Sequence, residues 1–195
     1  DKTVEASKNT EVKAGSIAID EAHFPDKVFR EQIIAEFDKD GDSVLSVDEI
    51  SKAQFLNLHD MKTISSLEGI QYLTNLQSLD VSTTSVSDLS PVKNSSLKRL
   101  DCRSSKVRSV DLTRYPNLEA FVCDNTSINS LDVSKNEKLN TLFADSTSIS
   151  NLDVTNNPNL EQLSCSNTGL MELDVTHNPQ LVTLDIGDTK VKTLD

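Results

Sequence analysis

The sequence predicts an α/β solenoid: stacked 21-residue coils form a parallel β-sheet, and a small helical cap closes the N-terminal end. Three observations predict this fold. Leucines recur at a constant spacing of 21 residues, at 76, 97, 118, 139, 160 and 181. Apolar residues alternate after each of these leucines, as in a short strand. Residues 20–54 carry a helical period instead. Aromatic residues make up only 4% of the chain, and tryptophan is absent, which fits a core built from rows of Leu and Val.

The first segment, residues 1–19, is predicted to be a flexible leader. Most of it, "DKTVEASKNTEVKAGS", is polar and shows no apolar periodicity. The chain begins with Asp rather than Met, so we expect that an upstream segment has been removed. A cleaved export signal would account for this, and a trimmed chain would look the same.

Residues 20–54 are predicted to form the cap. In "FPDKVFREQIIAEF", Phe29, Ile33 and Phe37 lie at i, i+4 and i+8, which predicts an amphipathic helix of about three turns. A second helix begins in "SVDEISKAQF", where Ser46 is a suitable N-cap and Glu49 follows three residues later. Together with the intervening "DKDGDSVLSVDE", this is the helix–loop–helix plan of an EF-hand.

The loop supplies oxygen ligands at the spacing that calcium requires in an EF-hand. The candidate ligands are Asp38, Asp40, Asp42, the carbonyl of Val44, Ser46 and Glu49. Against calcium, Ser43 replaces the glycine of the sharp turn, where a left-handed residue costs roughly 1–2 kcal/mol, and no second EF-hand is available to pair with this one. Two interpretations remain: a weak structural Ca²⁺ site, or a loop that folds without metal.

Residues 55–195 are predicted to form the solenoid. The six segments from "LQSLDVSTTSVSDL" to "LVTLDIGDTKVKTL" share the template L-x-x-L-x-[VCAI]-x-x-[TS]-x-[VIL]-x-x-[LV]. A unit of 21 residues cannot bury its own apolar side, so the units must stack with their strands parallel, about 4.8 Å apart.

This template resembles the leucine-rich repeat, and within it the short repeats of exported bacterial proteins. The stretch "ISSLEGIQYLTNLQSLDVS" is similar to the entry coil of internalin-like proteins, which also begin with a cap resembling a truncated EF-hand. Where that family carries Asn at the ninth position, this chain carries a hydroxyl row, expected to supply part of the same bonding: Thr84, Ser105, Thr126, Thr147, Thr168 and Thr189.

Three further rows recur at the same period. An asparagine row is predicted to form a structural ladder at the other bend: Asn94, Asn136, Asn157 and Asn178. An aspartate row is interpreted either as a cation stripe or as turn residues that accept backbone N–H bonds, and the second is favoured because no neighbouring row adds ligands: Asp111, Asp132, Asp153, Asp174 and Asp195. Cys102, Cys123 and Cys165 occupy an inward position and are predicted to be free, buried thiols.

Composition and motifs narrow the function. The net charge of −12 argues against a nucleic-acid partner, and no window approaches the ~20 apolar residues of a membrane span. The residues offer no nucleophile elbow, phosphate loop or metal-ligand spacing among the histidines, so we expect no enzyme in the repeats. The resemblance implies a secreted or cell-surface bacterial protein that binds another macromolecule, often a host protein. The alternatives are a structural spacer, or an accessory domain of a larger surface protein or enzyme.

The expected binding surface is the strand face that points away from the core. The third and fifth residues of each coil, counted from its first leucine, point to this face. Most of them are polar, and Val122 and Phe143 are the apolar exceptions. Arg99 and Arg103 come from the preceding coil, within a local cluster of basic residues. An aromatic residue beside arginines is a common composition of binding hot spots. The sequence therefore predicts a partner site made of Arg99, Arg103, Val122 and Phe143.

Overall fold

The computed structural model describes residues 13–192 and 194 as a single curved solenoid. Most of the expected leader, residues 1–12, lies outside the described residues, as does Asp195. Strand β1 is Ile17–Ala18, helix α1 is Lys27–Phe37, strand β2 is Val44–Leu45 and helix α2 is Val47–Lys52. Strands β3 to β9 follow, each three residues long: Phe55–Asn57, Ser78–Asp80, Arg99–Asp101, Ala120–Val122, Thr141–Phe143, Gln162–Ser164 and Thr183–Asp185.

Strands β3 to β9 form one parallel sheet in sequence order, in agreement with the predicted solenoid. From β4 onward, each strand pairs with the residue 21 positions ahead, as in Ser78↔Arg99 and Arg99↔Ala120. The sheet has one strand more than the six leucine-aligned segments. This strand, β3, pairs Phe55 with Ser78, a spacing of 23 residues. The two extra residues explain why alignment on a strict 21-residue period misses the first coil.

The other side of each coil is built from turns, with short 3-10 segments at Ile70–Tyr72 and Leu112–Arg114. Asparagine side chains bridge the coils there, as the sequence predicts. The Nδ2 of Asn157, for example, donates to the carbonyls of Val133 at 3.0 Å and Asn136 at 2.9 Å. Tyr115 replaces asparagine in one coil, and its hydroxyl donates to the Val92 carbonyl of the preceding coil at 2.9 Å. The ladder thus continues with a different side chain.

The hydroxyl row acts differently from the expectation. Each hydroxyl donates within its own coil to the carbonyl three residues earlier, as Thr126 does to Cys123 at 2.7 Å and Thr168 to Cys165 at 2.7 Å. The hydroxyl is too short to span the gap between coils, so it closes the bend after the strand instead. The three cysteines are buried and free, and burial raises the pKa of Cys165 to about 12.

Helix α1 buries Phe29, Ile33 and Phe37, the three residues that the helical period selects. Ser46 and Glu49 form the expected capping box at the start of α2. Phe24 is fully buried and belongs to the same hydrophobic cluster as the entry-coil residues Leu67 and Ile70. Cap and coils therefore share one core.

Gly69 shows how closely the cap packs on the entry coil. Its φ is +106°, and an added Cβ would lie 2.3 Å from Cδ1 of Phe24. Asp26 connects the same two parts, because its carboxylate accepts N–H bonds from Val28 and Phe29 of α1 and from Ser65 and Ser66 of the entry coil.

Candidate functional site

The cap loop brings the three aspartates of the predicted calcium site together. Asp38, Asp40 and Asp42 each offer a carboxylate oxygen within 4.8 Å of the others. Ser43 adopts the left-handed conformation that the sequence requires of it, with φ +64°. Its N–H donates to Asp38 at 3.0 Å, so the loop turns sharply without glycine at that position.

Glu49 is placed differently from the three aspartates. Its Oε1 accepts the Lys39 N–H at 2.7 Å, and its Oε2 accepts the Ser46 N–H at 2.9 Å. Burial would raise the pKa of Glu49, but the hydrogen bonds from Ser46 and Lys39 outweigh it and lower the pKa. Glu49 therefore serves as a hydrogen-bond acceptor for the backbone N–H groups of Lys39 and Ser46 in the loop.

The loop strand β2 has a partner that the sequence analysis missed. Residues Ile17 and Ala18 pair with Leu45 and Val44, in the place where a second EF-hand would pair. The leader expected over residues 1–19 is therefore ordered at its C-terminal end. The Ile19 N–H donates to the Ser43 carbonyl at 2.9 Å. Because hydrogen-bonded pairs alternate along an antiparallel ladder, the Val44 carbonyl points away from β1 and stays available to the loop.

On the concave sheet face, the structure places Arg99, Val122 and Phe143 in the consecutive strands β5, β6 and β7. Arg103 follows two residues after the end of β5. Arg99 and Arg103 are exposed, and Phe143 is half-buried. Val122 is different: only 2% of its surface is exposed, so the prediction that it forms an exposed apolar pair with Phe143 is wrong. In the sheet register Val122 stands between Asp101 and Phe143. A short side chain between longer neighbours about 4.8 Å away is covered by them.

The two arginines hold a buried carboxylate. Asp101 is fully buried, and its Oδ2 receives Arg103 at 2.7 Å and Arg99 at 3.5 Å. Other members of the basic cluster also have acidic partners, since Lys98 lies 3.7 Å from Glu119 and Arg114 lies 3.0 Å from Asp111. The signal was present in the sequence: R-x-D-x-R places all three side chains on one face of a strand.

Phe55 is a further exposed aromatic residue on this face that the sequence did not predict. Its side chain is 68% exposed at the start of β3, in the same cross-strand row as Arg99. Alignment on a 21-residue period does not detect its register, because the spacing to Ser78 is 23 residues.

A Ser–His–Asp set lies in the first coils: the His59 Nδ1 is 2.8 Å from the Ser82 Oγ, which donates to Asp80 at 2.5 Å. Ser82 is fully buried and its proton is committed to Asp80, so this Ser–His–Asp set links two coils and is not arranged as a nucleophile with its base.

The aspartate row behaves as turn residues. The Asp174 carboxylate accepts the Thr176 N–H at 2.8 Å and the Thr176 hydroxyl at 2.6 Å, which lowers the pKa of Asp174. Asp132 and Asp153 accept the same N–H bond from the residue two positions on. A groove of about 570 Å³ lies beside this row, but its Leu152 and Leu173 floor is nearly fully buried. It offers little apolar surface to a partner.

None of the described helices is long and apolar enough to cross a membrane. The longest, α1, has 11 residues.

Comparison with known proteins identifies the fold. No protein-family model and no curated protein sequence matches the chain. Among solved structures, internalin C2 of Listeria monocytogenes superposes with a TM-score of 0.85 at 22% identity, covering 94% of this chain and 83% of that one. The Listeria internalin inlF gives 0.71 at 20% identity, covering 91% and 60%. A leucine-rich repeat protein of Leptospira interrogans gives 0.66 at 18% identity, covering 76% and 40%. The chain therefore has an internalin-like leucine-rich repeat fold.

Proposed function

We propose that the protein is a non-enzymatic binding module that holds a macromolecular partner, a protein, on the concave face of its sheet. The observation that carries this proposal is that Phe143 of β7 lies on the same sheet face as Arg99 of β5 and the following Arg103, two strands away, with Phe55 at the N-terminal end of that face. Aromatic and arginine side chains supply most binding hot spots. Strands held by one continuous ladder present these side chains without reorganisation, which lowers the entropic cost of binding.

The internalin-like fold supports a location at the bacterial surface or outside the cell, where the partner would be a host or cell-surface protein. A spacer or an accessory domain needs no exposed aromatic anchor on the concave face. The half-buried Phe143 ring and the exposed Phe55 ring therefore favour the binding function.

Selection from a displayed random-peptide library tests the proposal without a known partner. Peptides enriched on the immobilised protein should bind Phe143→Ala more weakly by about 1–2 kcal/mol, measured by interferometry. Met171→Ala is the matched control, because Met171 is an apolar residue 63% exposed away from the sheet face. Peptides that bind the wild type and Phe143→Ala equally would contradict the concave site and favour the spacer.

We further propose that the cap loop holds a weak structural Ca²⁺. The residues fit the ion: three carboxylates lie together, and the Val44 carbonyl faces away from β1. Asp38, Asp40, Asp42 and Val44 would be direct ligands, with Ser46 and Glu49 completing the set. A bound Ca²⁺ would neutralise the charge of the aspartates and stabilise the loop that joins α1 to α2.

The calcium proposal has a thermal test. Millimolar Ca²⁺ should raise Tm by mass action, and Asp40→Asn and Glu49→Gln should each remove the shift. Asp48→Asn should keep it, because Asp48 is exposed and faces Lys52 at 2.5 Å. If Tm of the wild type does not respond to Ca²⁺ or to a chelator, the loop folds without metal.

A further inference from the structure

The concave face carries more carboxylates than cations. At the third, fifth and seventh positions of the coils from β4 to β9, the cations are Arg99 and Arg103, and both are bound to Asp101. The other carboxylates on these positions are Asp80, Asp124, Asp145 and Asp185. Within residues 13–192, none of these four forms an ion pair. The face is therefore acidic outside the arginine coil.

Asp124 and Asp145 are the half-buried members of this group that flank Phe143. Asp124 Oδ1 accepts the Asp145 N–H at 2.9 Å, and Asp145 Oδ1 accepts the Ser166 N–H at 2.7 Å and the Ser164 hydroxyl at 2.6 Å. These bonds hold both carboxylates in place. In the described part of the chain, the two Oδ2 atoms accept no hydrogen bond.

The electrostatics of this pair favour a cation. Burial raises the pKa of Asp124, and the neighbouring charges of Asp145 and Asp101 raise it further, despite the opposing effects of the Asp145 N–H bond and of Arg103. Two partly desolvated carboxylates one strand spacing apart repel each other, and an added positive charge would relieve that repulsion. Phe143 lies two residues before Asp145 on the same face, where its ring is available to a cation as well.

We propose that the partner segment seated on strands β6 to β8 is basic, and that it presents a Lys or Arg side chain to Asp124 and Asp145 beside Phe143. The inference rests on the proposed binding function of the concave face and adds the chemistry of the partner. The acidic net charge of the protein would steer a basic partner towards it, whereas Asp124 and Asp145 would determine where on the face the basic side chain binds. Arg99 and Arg103 lie at the N-terminal border of this contact and limit how far the basic segment extends.

Composition of the selected peptides is the first test. A random-peptide library panned on the wild-type protein, with the double variant Asp124→Asn/Asp145→Asn used for counter-selection, should yield peptides enriched in Lys and Arg. One selected peptide is then synthesised with a fluorophore, together with a version in which every Lys and Arg is replaced by Glu. Fluorescence anisotropy should show binding of the basic version alone, weakening as salt is raised.

Matched variants locate the contact. Asp124→Asn/Asp145→Asn should weaken the basic peptide about tenfold or more, as expected for truncation of partly desolvated charge pairs. Asp153→Asn/Asp174→Asn removes the same charge from the flank of the solenoid and should change the affinity less than about twofold. Arg114→Gln, which removes a cation paired with Asp111 on the flank, should change the affinity less than about twofold. Circular dichroism checks the fold of each variant, and amide shifts of the wild type on titration should map to residues 120–124 and 141–145.

The outcomes separate this inference from the binding function itself. Equal losses in the two double variants, amide shifts confined to another face, or no enrichment of Lys and Arg would overturn the basic-partner inference. Neutral or acidic peptides that lose affinity on Phe143→Ala would overturn it too, while leaving the concave binding site intact. Peptides indifferent to Phe143→Ala would overturn both.

Discussion

A row of left-handed residues follows the strands, and none of them is glycine. In the six coils from β4 to β9 the eighth residue has φ between +53° and +58°: Thr83, Ser104, Asn125, Ser146, Asn167 and Asp188. This conformation turns the chain while its N–H continues the ladder, as the Thr83 N–H does to the Arg103 carbonyl at 2.9 Å. Asn and Asp tolerate it best, whereas a β-branched residue is strained there.

Thr83 should therefore store strain that glycine would release. We expect Thr83→Gly to raise the free energy of unfolding by about 1 kcal/mol, because the left-handed cost of a β-branched residue exceeds the entropic cost of glycine. Asn125→Gly is the control at the same coil position, φ +56°, and should change stability little. Urea unfolding measures both. A destabilised Thr83→Gly would show that the threonine side chain has contacts that outweigh the strain.

Between elements, the Asp26 carboxylate is one of the groups that join the cap to the solenoid. Asp26 caps α1 through Val28 and Phe29 and reaches Ser65 and Ser66 of the entry coil at 2.9 and 3.2 Å. Burial opposes its ionised form, but these backbone N–H bonds outweigh burial and lower the pKa of Asp26 below its ordinary 3.8. The cap is thus oriented by bonds to an ionised side chain as well as by the Phe24 contact.

This gives the cap a defined pH dependence. Since the folded-state pKa of Asp26 is lowered, its stabilisation is complete above about 3.8 and is lost as pH falls through the lowered value. At neutral pH, Asp26→Ala should lower the free energy of unfolding by about 1–2 kcal/mol. The difference from wild type should shrink in acid. Glu31→Gln, which removes an exposed pair with Lys27 at 3.7 Å, should have little effect at either pH. A difference that stays constant with pH would exclude the ionised cap bonds as its source.

Across the whole molecule, burial falls towards β9. The row residues Leu160, Leu163 and Cys165 are fully buried, whereas Leu181, Leu184 and Ile186 of the next coil are only partly buried. A solenoid is stabilised by contacts between neighbouring coils, so a coil with a neighbour on one side only is the least stable.

Hydrogen exchange should therefore show a gradient. Amides of β9 should exchange faster than those of β7 and β8, while β3 should be protected because the cap packs beside it. Mass spectrometry of proteolytic fragments, produced after exchange in the whole chain is quenched, can resolve these strands. Equal protection of β8 and β9 would contradict this gradient.

The elements whose determinants are local were predictable from the sequence. The 21-residue period, the buried face of α1 and the Ser46–Glu49 capping box follow from spacings within one turn or one coil, and the structure has them all. The asparagine ladder was predictable too, since a side chain repeated at the coil period lies over its copy in the preceding coil, and asparagine is long enough to reach the backbone there. The clustering of Asp38, Asp40 and Asp42 was predictable as well, because alternate residues of a short loop lie close together.

Contacts between distant residues were decided by the tertiary structure. Val122 was expected to be exposed and is buried, because its neighbours in the sheet come from residues 21 positions away on each side. The pairing of Ile17 and Ala18 with the cap loop joins segments more than 20 residues apart, with no periodic signal in either. The sequence by itself determined the repeat, the cap and the face that the candidate binding side chains occupy, because those depend on local period. The tertiary structure decided which of those side chains are buried, which form ion pairs and which carry an unpaired charge. These properties depend on cross-strand neighbours, which are set only when the coils pack.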